Sequence, residues 1–141
     1  MNVTMKVETE GKLFKRSAPE EVKKAVNGAL KELVQEGETF LMGQLRPRPA
    51  GVYLSVTQGE GTSTGNYRRN ISTVVSNQYA EINDGGVVYG PWLEGISSRN
   101  AATRFKGYAV FRKTRGKLEK NAQKVLKKHA NRMVRRFNRG I

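Results

Sequence analysis

The chain predicts an α+β fold: a small antiparallel sheet packed with two long amphipathic helices, one in the N-terminal region and one C-terminal. Three observations carry this. Met1, Val3, Met5, Val7 and Thr9 alternate with polar residues at the period of a half-buried strand. Val22, Val26, Ala29, Leu33 and Phe40 then recur at helical spacing. Leu118, Ala122, Val125, Leu126, His129, Met133 and Phe137 do so again. At 141 residues the chain is expected to form a single domain, 1–141, burying about two thirds of its unfolded surface.

The first strand is bounded by Gly11 and is short enough to be an edge or an arm. Ser17 with Glu20 three residues on forms a capping box, and Pro19 suits a first turn. The first helix should therefore run from there to about Leu45, where Arg46-Pro47-Arg48-Pro49 removes a donor and ends it. Gly28 and Gly37 each cost this helix about 1 kcal/mol relative to alanine. Gly37, on the packed stripe, suggests a close approach by another element.

Val52 to Val56 reads as a short strand, and Gly59 to Gly65, GEGTSTG, as a flexible loop with little to bury. The loop has no lysine at the phosphate-loop spacing, so an interface role suits it better than a phosphate cradle. Asn66 to Ser76 is rich in β-branched residues and reads as a strand, paired across Asn77-Gln78 with Tyr79 to Ile82. Asp84-Gly85-Gly86 turns the chain into Val87-Val88-Tyr89. Residues 96–104 read as an irregular, flexible polar loop, and a basic helix is expected over about 114–138.

Charge is concentrated at one end. The net charge is +14, and residues 112–141 hold 12 of the 26 basic side chains against Glu119 alone. Lys120, Lys124, Lys127, Lys128 and Arg135 lie opposite the apolar stripe of the final helix, as a surface for an acidic protein partner or for DNA. The acidic protein is the expected partner of the two.

The composition leaves little for catalysis. There is no cysteine, which removes disulfides, thiolate metal sites and thiol nucleophiles. The one histidine, His129, falls on the apolar stripe and reads as a packed side chain with one bonded nitrogen. Glu81, Asp84 and Glu94 are near in sequence, but each sits where a structural role suffices. No enzyme activity, metal or cofactor is expected. MNVTMKVETEG has no signal-peptide core and no run approaches a membrane span, so the expectation is a protein made in a cytoplasm with no membrane partner.

The stretch from Tyr79 to Phe111 stands apart, with the only tryptophan and three of the five tyrosines. Tyr89, Pro91, Trp92, Glu94, Arg104 and Phe105 are its candidate assembly residues, since aromatic bodies with polar tips suit half-buried contact surfaces. TGNYRRNI at 64–71, YAEI at 79–82, YGPWLEG at 89–95 and RFKGY at 104–108 together resemble the tail-component family of long-tailed bacteriophages. The likeness runs from about the first helix to the last, and one departure is Ile96, where family members often carry threonine.

This resemblance implies a structural virion protein of the neck or tail, made in the host bacterial cytoplasm. Its expected role is head–tail joining, as a tail-completion or terminator-like ring subunit. The implied partners are further copies of the chain, the head–tail connector and tail-tube proteins, and packaged DNA passing through the neck. The alternative from composition alone is a basic nucleic-acid-binding protein without sequence preference.

Overall fold

The computed structural model describes residues 1–8, 20–45 and 65–139. Its elements are β1 (Asn2–Lys6), α1 (Glu20–Gln44), α2 (Asn66–Arg69), β2 (Ser72–Ser76), β3 (Tyr79–Asn83), α3 (Gly90–Glu94), α4 (Ser98–Thr103) and α5 (Val110–Arg139). The architecture is α+β, a three-stranded antiparallel sheet packed against long helices. The Ser17–Glu20 capping box, the Val52–Val56 strand and the Gly59–Gly65 loop, Gly65 excepted, lie outside the described residues.

The strand order is β1-β3-β2, so the strand in the middle is the last of the three in sequence. Val3 pairs with Ile82 across one side of β3, and Val75 pairs with Ala80 across the other. Because side chains alternate, this register sends Val3, Ala80 and Ile82 to the helix side, where all three are buried. The hairpin between β2 and β3 turns at Asn77-Gln78, as the sequence predicts, with Gln78 at φ 57°.

Helix α1 lies over β2 and β3, while α5 packs along α1 and reaches β1. Val26, Ala29, Leu30, Leu33, Val34, Gly37 and Leu41 form the buried stripe of α1. The two helices run antiparallel: Glu32 meets Lys128 and His129, and Glu36 meets Asn121. Gly37 sits where both α5 and the sheet pack closely on α1. A Cβ there would lie 2.6 Å from Cδ1 of Ile82 and 2.9 Å from Cδ1 of Leu118. The close approach expected at this glycine is thus real.

Four expectations change. The strand foreseen over Asn66–Ser76 begins only at Ser72, because Gly65 in the left-handed region (φ 68°) starts a helical turn, α2, closed by the Arg69 N–H on the Gly65 carbonyl. Val87 to Tyr89 form turns that lead into α3, with Pro91 in its first turn. The irregular loop foreseen over 96–104 contains α4, whose N-cap Ser97 accepts from Arg99 while Asn100 bonds back to the Ser97 N–H. This is a capping box with asparagine as the returning residue. Finally, α5 begins at Val110, four residues before Thr114, for a reason that lies in Glu94.

Candidate functional site

Two surfaces carry the residues singled out by sequence. The first is a corner formed by α3, α4 and the segment from Phe105 to Ala109. Trp92 stacks on Phe105 with ring centroids 4.8 Å apart, and Phe105 meets Tyr108 edge-on at 5.1 Å. The Arg99 guanidinium lies 5.5 Å from the Trp92 ring, and the indole N–H donates to the Thr103 hydroxyl at 3.4 Å. Asn100 fastens the corner from within: its amide donates to the carbonyls of Trp92 (2.8 Å) and Phe105 (2.7 Å).

Backbone crosses backbone here. The Tyr108 N–H donates to the Leu93 carbonyl at 2.6 Å, and Gly95 (φ 90°) packs directly on Gly107 (φ 78°). Any side chain at Gly95 would strike the Lys106 carbonyl, so the crossing requires glycine on conformational and steric grounds alike. The outcome is a rigid corner with few degrees of freedom left to lose on contact.

Three large apolar side chains in and beside it are exposed. Val88 is 94% exposed, Ile96 60% and Tyr89 39%. The Tyr89 hydroxyl accepts from Asn66 at 2.9 Å, and its ring lies 5.9 Å from that of Tyr67. Of the candidate assembly residues, Tyr89 and Arg104 are exposed, and Pro91, Trp92 and Phe105 are half-buried. Glu94 is a correction: it is 3% exposed and lies inside, with its carboxylate on the N-terminus of α5. Val88 is not among these candidates, since an isolated valine beside a turn gives no periodic signal.

The three carboxylates near this region are all occupied structurally. Asp84, 1% exposed, accepts from the Met1 ammonium at 2.9 Å, the Gly86 N–H at 3.1 Å and the Tyr67 hydroxyl at 3.3 Å. Burial first, and then the Asp84 charge, push the Tyr67 hydroxyl far above its usual range, so it stays a donor. Glu81 accepts from the Tyr79 hydroxyl on the open face of the sheet, and that bond raises the Tyr79 pKa. Among the described residues no group of three histidine or acidic side chains is placed to hold a metal.

The second surface is α5. Its buried stripe is Val110, Phe111, Thr114, Leu118 and Val125. Lys120, Lys124, Lys127 and Arg135 are exposed on the far side. Lys128 is partly exposed but turned towards α1, with Nζ 2.7 Å from Glu32. His129 packs at 15% exposure with Nε2 2.8 Å from the other Glu32 oxygen. These two bonds, the Lys128 one foremost, hold the Glu32 carboxyl below its usual range. Beside this pair, Glu32, Gln35, Glu36, Thr39, Phe40 and Lys117 line an open groove of about 510 Å³.

No family model matches the chain, and neither the curated proteins nor the solved structures contain a match to it. Among the described residues no helix is long and apolar enough to cross a membrane.

Proposed function

We propose that the chain is a structural subunit of a phage neck or tail, a ring-forming protein that joins head to tail. The observation that carries this reading is the corner of α3 and α4, which is tied internally by Asn100 and the Gly95–Gly107 crossing while Val88, Tyr89 and Ile96 face outward. Exposed apolar side chains carried on an internally tied corner suit association, because little ordering entropy remains to be lost. YGPWLEG, which belongs to the strongest part of the resemblance, and RFKGY, a further part of it, are two of the segments that build this corner.

In this reading the subunit is not an enzyme. Its neighbours are further copies of itself, the head–tail connector and the tail-tube proteins, and its place is the virion. A ring needs two different complementary surfaces on each subunit; the corner supplies one of them.

The test is the double variant Val88→Ser, Ile96→Ser, whose exposed positions leave the core intact. The wild type should form rings visible by electron microscopy, and the variant should remain folded by circular dichroism but fail to form rings. Rings formed equally well by the variant would remove the corner from the assembly.

A further inference from the structure

We propose that the outward stripe of α5 is a docking surface for the phosphate backbone of duplex DNA. Lys113, Lys117, Lys120, Lys124, Lys127, Asn131 and Arg135 follow one another at intervals of three or four residues, so they form a single row along the helix. At 1.5 Å per residue that row is about 33 Å long. Lys117 turns towards Glu36 and Phe40 of α1, and the other six are exposed, away from the stripe that packs on α1 and the sheet.

Apart from Lys117, which pairs with Glu36 at 3.9 Å and lies 4.8 Å from the Phe40 ring, the row is not neutralised from within: none of Lys113, Lys120, Lys124, Lys127 and Arg135 forms an ion pair with a carboxylate of the described residues. A second copy of the chain is a poor occupant. Each copy carries +14, and Glu8, Glu20, Glu21, Glu32, Glu36 and Glu119 are already ion-paired within it. Glu81, Asp84 and Glu94 are held as described above.

The chemistry of the row decides between an acidic protein and a nucleic acid. From Lys113 to Asn131 it has no apolar or aromatic side chain, and Val134 only borders its far end. Protein interfaces rest on buried aromatic and aliphatic anchors and are depleted in lysine at their centres. A lysine row with asparagine is what phosphate contacts use, since they ask for charge and N–H donors and read no sequence. With no ring on the row to stack a base, single strands are poorly served. A straight row of about 33 Å matches one turn of duplex, about 34–36 Å. This reverses the preference for an acidic protein drawn from sequence, and it stands independently of the assembly corner, which is built from other elements.

The test is binding of the full chain to short duplexes of several sequences, followed by fluorescence anisotropy over a salt series. Affinity should be the same for every sequence, and log affinity should fall with log salt by about 0.9 per phosphate neutralised. The variant Lys120→Gln, Lys124→Gln, Lys127→Gln keeps helix propensity and should lower that slope by about 2.7 while circular dichroism stays unchanged. A charge-matched control, Lys6→Gln, Lys24→Gln, Lys31→Gln, should leave the slope as it was. Equal losses in the two variants would show diffuse charge and overturn the proposal. So would tighter binding of polyglutamate or of single-stranded poly-dT than of duplex at the same salt.

Discussion

The carboxylate of Glu94 accepts the backbone N–H groups of Phe111 at 3.0 Å and Arg112 at 2.7 Å, capping α5 from 17 residues away in the chain. Two donors that a helix start leaves unpaired are satisfied by one buried anion, which also meets the positive end of the helix dipole.

Glu94→Ala should therefore cost about 2 kcal/mol, since it orphans one buried and one part-buried donor and opens space. Glu94→Gln keeps one acceptor and should cost about half as much. Urea denaturation of both variants measures this. A Glu94→Ala midpoint indistinguishable from wild type would mean that α5 starts without the cap.

Two glycines in helices should respond with opposite signs. Gly116 in α5 has open space where a Cβ would stand, so Gly116→Ala should stabilise by about 0.5–1 kcal/mol through helix propensity alone. Gly37→Ala has the same propensity gain but drives a methyl group against Ile82 and Leu118, both buried. Overpacking of this kind costs about 1–3 kcal/mol, so the net change should be destabilising. Adding Ile82→Val to Gly37→Ala should recover part of the loss, which a double-mutant cycle reads directly.

Acid should weaken the contact between α1 and α5. Lys128 and His129 hold the Glu32 pKa below its ordinary 4.5. A carboxylate with a depressed folded-state pKa contributes stability above its unfolded value and loses it as pH falls through the folded one. Wild type should thus exceed Glu32→Gln by a constant margin near neutral pH, with the difference closing below about pH 4.5. Solvent screening at this partly exposed site keeps the margin under about 1 kcal/mol. Thermal melts across the acid range check it, and a margin that grew towards low pH would reverse the assignment.

The elements legible in sequence were those with a sustained period. The stripe of α1, the alternation of β1 and the stripe of α5 each repeat enough times to define a face, and they gave the helices and the sheet they build. What was not legible depended on distant partners. Nothing near Val110 announces a helix start, because its cap is Glu94. Asn66 to Arg69 follow Gly65 into a turn that sets Tyr67 over Asp84, although the β-branched run from Ile71 to Val75 follows directly. α4 was hidden because its capping box uses asparagine where glutamate is the familiar signal. The basic row was visible as charge, but the engagement of Lys128 by Glu32 required both helices in place.

The pairing of α1 with α5 also bears on how the protein is made. Glu32 and Lys128 are 96 residues apart, and β1 must find β3 across almost as long a stretch, while only the hairpin of β2 and β3 is local. α1 is made well before the helix that covers it, so Leu30, Leu33 and Leu41 lack that cover until α5 is complete. Long-range closure of this sort slows folding relative to what a helix-rich chain would otherwise achieve. Until that closure the apolar stripe of α1 is the part of the chain most open to association with other unfolded copies.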